Sequence, residues 1–123
     1  MSTILIADDK SSMRKVLRQT LEYDGNTILE AEDGEQALEI IKAKHVDVII
    51  SDIKMPKLDG MSLLKMIKEL DGDIVVIIMT AYATIETAVE AMKLGAYDYI
   101  SKPFSTEQVK ITVGKAIERQ KLV

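Results

Sequence analysis

Asp8 and Asp9 follow the apolar run Ile4–Ala7, Asp52 follows Val46–Ile50, Thr80 follows Ile74–Met79, and Lys102 follows Tyr97–Ile100. A single Asp after such a run is most simply a turn or helix cap. The set as a whole is different if the runs are parallel strands. Right-handed crossovers then carry every strand's C-terminal end to one edge of the sheet, which is where open α/β sheets bind ligands. Three carboxylates, a hydroxyl and an ammonium would meet there. Anions held that close repel one another, and a divalent cation relieves the repulsion. An all-oxygen donor set with few protein ligands suits Mg²⁺, which keeps several waters and leaves room for a phosphate.

The elements that must position these groups are legible as runs and stripes. With Thr27–Ala31 as a further, alternating strand candidate, the β-branched content and length of the runs predict five strands. Helical spacing appears in Met13, Val16, Leu17 and Leu21, then in Ala37, Leu38, Ile40 and Ile41, and then in Leu63, Leu64, Ile67 and Leu70. It returns in Ile85, Ala88, Val89 and Met92, and in Val109, Val113, Ala116 and Ile117. Ser11 or Ser12, Asp59, and Ser105 or Thr106 are the expected N-caps, while Gly25 and Gly95 stand where helices should stop. Strand and helix alternate, which predicts a parallel sheet covered on both faces and one domain over residues 1–123.

Composition narrows the function. The 123 residues carry 16 Lys and Arg against 20 Asp and Glu, a net charge of −4, which argues against direct nucleic-acid binding by this segment. The absence of cysteine and the single histidine exclude disulfides and Cys- or His-rich metal sites. No apolar run reaches membrane-spanning length, and the start of the chain is too short and acidic for a signal peptide. A soluble, cytoplasmic protein with no membrane partner is therefore expected. His45 reads as a solvated loop residue, Met13, Met61, Met66, Met79 and Met92 as core or groove fillers, and Lys110, Lys115, Arg119 and Lys121 as a solvated helix face. Lys102-Pro103 restricts the backbone and is able to adopt the cis form.

The segments "LIADD", "VIISDIKMPKLDG", "IIMTA" and "YDYISKPF", in this order and spacing, resemble the receiver domains of two-component response regulators over the whole chain. The resemblance implies the flavodoxin-like (βα)5 fold, strand order 2-1-3-4-5. It implies that Asp52 is the phosphorylation site, taking a phosphoryl group from a sensor histidine kinase. Asp9 and Asp52 would bind Mg²⁺ directly, Asp8 mainly through water, and the Lys54 carbonyl would supply a further ligand. Lys102 and Thr80 would contact the phosphoryl group. Tyr99 would be the switch aromatic that moves into the space Thr80 vacates. The output surface would be the helix from about Thr84, the strand Tyr97–Ile100 and the last helix.

Within the family, "AYATIETAVEAMKLGAYDYISKPF" is most similar to receivers of the NtrC type, which are attached to sigma-54-dependent activators. That likeness implies transcription control through an effector domain downstream in a longer parent. It also implies homodimer contacts through the output face, with Tyr97, Ala91 and the last helix as contact positions. Such a domain is a signalling switch and not an enzyme in its own right. Two alternatives stay open: a Mg²⁺-dependent Asp-nucleophile phosphatase or phosphotransferase of the haloacid dehalogenase kind, and a pseudo-receiver that binds without being phosphorylated. The first usually has a second Asp two residues after the nucleophile, where this chain has Lys54; the second typically loses an acidic residue, the Thr or the Lys. Lys54 and Tyr82, two residues after Asp52 and Thr80, are expected to shield the phosphoryl group from water.

Overall fold

The computed structural model describes residues 2–22 and 25–122; Met1 and Val123, at the two ends of the sequence reading, lie outside them. Strands and helices alternate as β1 (Thr3–Ala7), α1 (Ser11–Glu22), β2 (Thr27–Ala31), α2 (Gly34–Ala43), β3 (Val48–Ser51), α3 (Gly60–Leu70), β4 (Val75–Thr80), α4 (Ile85–Lys93), β5 (Asp98–Ser101) and α5 (Thr106–Lys121). All neighbouring strands pair in parallel, in the order β2-β1-β3-β4-β5. This is the flavodoxin-like arrangement expected from the sequence.

Strand alternation divides the core into two layers. Leu5, Ala7, Ile49, Val76 and Ile78 pack with Ala37 of α2, Leu63, Leu64 and Ile67 of α3, and Ala91 of α4. Ile4, Ile6, Val48, Ile50, Val75, Ile77 and Met79 pack with Leu17 and Leu21 of α1 and Val109, Val113 and Ala116 of α5. Because β1, β3 and β4 are covered on both sides, their sequences read as unbroken apolar runs. Each fully buried Ile or Leu contributes about 1.5–3 kcal/mol.

Side-chain caps set where most helices begin. Asp33, Asp59, Thr84 and Ser105 each accept the N–H of the residue three further on. At α1 the expectation fails. Ser11 and Ser12 lie inside the first turn, and the carbonyl of Lys10 accepts the N–H of Met13 and Arg14. The α4 stripe is also out of phase: Ile85, Val89 and Met92 are 84%, 47% and 50% exposed, while Ala91 joins the core and Thr87 and Ala88 are half-buried. Ala91 is fully buried, so it cannot be the intermolecular contact position expected of it. Met66 is exposed like Met92, whereas Met79 is buried. His45 is solvated, yet its Nε2 lies 2.7 Å from Asp47 Oδ1. No helix among the described residues is long and apolar enough to cross a membrane.

Candidate functional site

Register brings the site together before any side chain acts. Ala7 pairs with Ser51 and Thr80 with Ser101, so β1, β3, β4 and β5 end at one edge. The backbone ladder continues one step beyond the strands. Asp52 N–H donates to the Ala7 carbonyl at 3.0 Å, Lys102 N–H to the Thr80 carbonyl at 2.9 Å, and Asp8 N–H to the Ala31 carbonyl at 3.1 Å. Asp8, Asp52 and Lys102 are therefore held by main-chain bonds where the strands stop.

One carboxylate oxygen from each of Asp8, Asp9 and Asp52 lies within 4.8 Å of the others. Asp8 and Asp52 are buried and Asp9 is exposed. Lys102 Nζ donates to Asp8 Oδ2 and to Asp52 Oδ2, both at 3.0 Å. Asp8 Oδ1 also accepts the Lys10 N–H at 2.9 Å. Asp52 Oδ1 accepts the Ile53 N–H at 2.7 Å and, at 3.4 Å, a weak approach of the Lys54 N–H. Burial disfavours the Lys102 ammonium, but its bonds to Asp8 and then Asp52 outweigh this and hold its pKa above the ordinary lysine value. Two buried carboxylates sharing one cation leave net negative charge, and the exposed Asp9 adds to it. The donors are all oxygen, as a hard divalent cation requires.

The remaining predicted residues border this cluster. Thr80 is fully buried, and its Oγ1 accepts the Tyr82 N–H at 3.1 Å. Tyr99, half-buried, places its hydroxyl 2.6 Å from Thr87 Oγ1 in the first turn of α4. Lys54 does not reach the carboxylates with its ammonium, which sits 4.2 Å from the centroid of the Tyr82 ring.

The sequence reading overlooked two contributors. Gly60 opens α3 directly against the main chain of Asp52; a Cβ there would collide with the Asp52 carbonyl and Ile53. Only the "DG" spacing after Asp52 could have hinted at this. Arg14 and Glu30 form an ion pair, Nε to Oε1 at 3.1 Å, beside the first acidic turn. An Arg one turn into a helix and a Glu at the end of an edge strand carry no local signal that they meet.

The response regulator receiver domain family matches residues 4–113. The chain belongs to that family. Among curated relatives this receiver is similar to the regulatory protein AtoC of Escherichia coli K12, 39% identical over 119 residues, 97% of this chain and 26% of that one. It is 42% identical to the DNA-binding transcriptional regulator NtrC of the same strain over 114 residues, 93% of this chain and 24% of that one. The receiver thus spans about a quarter of the length of these relatives. Among solved structures it resembles a response regulator receiver domain protein from Clostridium thermocellum, TM-score 0.92 and 38% identity, covering 99% and 98% of the two chains. NtrX from Brucella abortus superposes with a TM-score of 0.92 at 32% identity, covering 98% of this receiver and 28% of that chain.

Proposed function

We propose that Asp52 accepts a phosphoryl group from a phosphohistidine of a sensor histidine kinase in a Mg²⁺-dependent reaction, and that the resulting acyl phosphate switches the output face. The observation that carries this reading is the cluster of Asp8, Asp9 and Asp52 around the Lys102 ammonium. A carboxylate oxygen of Asp52 attacks phosphorus, the P–N bond to the imidazole breaks, and its electron pair returns to the histidine nitrogen. The Ile53 N–H fixes the carboxylate plane. Lys102, already at the cluster, moves with the transferred group and balances charge on its oxygens.

Mg²⁺ fits this donor set, in which Asp9, Asp52 and the Lys54 carbonyl would be the direct ligands. Asp8, which shares the Lys102 ammonium with Asp52, would contact the ion mainly through water. Bound there, the ion would supply positive charge that balances the phosphoryl oxygens.

Thr80, whose Oγ1 accepts the Tyr82 N–H, turns toward the phosphoryl group and frees space beside Tyr99. Tyr99 is tied to Thr87, whose Oγ1 also takes part in the capping box with Thr84 that starts α4. A change at Thr80 therefore reaches the first turn of α4 through two adjacent side chains. The output face is α4, β5 and α5. Through it the receiver controls an effector domain in a longer, cytoplasmic regulator of transcription and pairs weakly, or on phosphorylation, with a second copy.

Incubation with acetyl phosphate and Mg²⁺, followed by intact-mass measurement, tests the reading. A single phosphoryl adduct is expected for the natural chain and none for Asp52→Asn or after chelation with EDTA. Steady phosphate release with no adduct would point to the phosphatase alternative, and an inert chain to a pseudo-receiver. The position of Lys54, over the Tyr82 ring and unable to act as an acid carboxyl, disfavours the phosphatase.

A further inference from the structure

Asp9 is the exposed member of the acidic cluster, and no hydrogen bond holds its carboxylate among the described residues. Its direction therefore depends on the peptide that joins it to Asp8. That peptide is fixed from outside the cluster. Arg14, in the first turn of α1, points back along the helix and donates from Nη1 to the Asp8 carbonyl at 2.7 Å. Its Nε donates to Glu30 Oε1 at 3.1 Å. The Arg14 side chain is only 13% exposed.

The clamp is itself braced. Glu30 Oε2 accepts from Arg18 Nε at 2.6 Å, and Arg18 reaches on to the Ile28 carbonyl at 3.2 Å and to Glu22 at 2.9 Å. Both oxygens of Glu30 are thus occupied, and the guanidinium of Arg14 has little room to drift. A planar fork that holds a carboxylate with one arm and a carbonyl with the other is a task for arginine that a lysine point charge cannot reproduce.

We propose that Arg14 is a positioning residue for the metal site: through the Asp8 carbonyl it sets the peptide plane from which Asp9 projects, with Glu30 as its brace. The inference rests on the receiver reading of the Asp8–Asp9–Asp52 cluster. It makes a prediction opposite in sign to simple electrostatics. Removing a cation beside a cation site should tighten Mg²⁺ binding if charge alone matters, whereas loss of a positioning group weakens it, by about tenfold where supporting contacts of metal ligands are cut.

Isothermal titration with MgCl₂ on the natural chain, Arg14→Met, Arg14→Lys and Glu30→Gln, with circular dichroism of each, decides the matter. Expected is a rise in the Mg²⁺ dissociation constant of about tenfold for Arg14→Met, a smaller rise for Glu30→Gln, and failure of Arg14→Lys to restore natural affinity. If Arg14→Met is unfolded by circular dichroism, Arg14→Lys, which keeps the charge and most of the packing, decides instead: charge alone predicts unchanged affinity, loss of positioning a weaker one. Unchanged or tighter binding in folded variants overturns the inference, even if their melting temperatures fall. A natural chain that binds no Mg²⁺ overturns the receiver reading and this inference with it.

Discussion

Lys54 and Tyr82, two residues after Asp52 and Thr80, meet as an ammonium on a ring face at 4.2 Å. The pair bridges the loops after β3 and β4, and with the proposed phosphoryl group on Asp52 it would narrow the approach of a hydrolytic water. Lys54→Asn together with Tyr82→Glu removes the contact and adds water-orienting groups, so decay of the acyl phosphate should quicken by about tenfold or more, given how strongly such attacks depend on positioning. Decay followed by intact mass that is no faster in the double variant would count against shielding. At the same scale the two neighbouring aspartates should part company. Asp9→Ala should weaken Mg²⁺ binding strongly and Asp8→Ala less, because the Asp8 contact is proposed to run through water; titration calorimetry showing equal losses would contradict the ranking. Lys102→Met should leave two buried carboxylates without their cation, at a cost of about 3 kcal/mol in urea unfolding without divalent metal. Much of that loss should return on adding Mg²⁺. A variant as stable as the natural chain in the metal's absence would show that Lys102 does not hold the cluster.

At the scale of elements, Gly60 is where α3 comes against the strand end that carries Asp52. Gly60→Ala should destabilise the fold by about 1–3 kcal/mol, as overpacking does, and slow phosphorylation because the Asp52 main chain must move. Urea unfolding and the rate of adduct formation measure the two effects, and a variant natural in both would mean that the helix yields freely. The strands were readable because burial on both sides leaves unbroken runs such as Val48–Ile50 and Val75–Met79, and the edge of the sheet followed from parallel order alone. Asp59 was readable as a cap because a short acidic side chain before an apolar stripe has one obvious use. The phase of α4 was not. Spacing marks an apolar stripe but not whether the sheet or the solvent faces it, and the residue that α4 buries in the core is the small Ala91. Lys10 in the capping role at α1, and the Arg14–Glu30 pair, depend on contacts between elements that no local pattern encodes.

For the whole molecule, Ile85, Val89 and Met92 of α4 and Ile111 of α5 stand exposed at 84%, 47%, 50% and 53%. They lie on elements of the proposed output face, and the burial of Ala91 shifts the contacts expected of the proposed pairing with a second copy onto the outward side of α4. Sedimentation of the beryllofluoride-bound receiver should reveal association that Val89→Asp weakens; monomer alone at high concentration would exclude it. The two layers of the core also differ in when they are able to close. The layer under α2, α3 and α4 draws on nothing later than Tyr99, whereas the other needs Val109, Val113 and Ala116. Synthesis delivers the chain from its N-terminus, so one side of the sheet can seal while the other, roofed only by α1, still shows Ile50, Ile77 and Met79 to the surroundings. A sheet formed before α5 leaves the ribosome would be adhesive on one side, and arrival of that helix would take it out of reach of other chains.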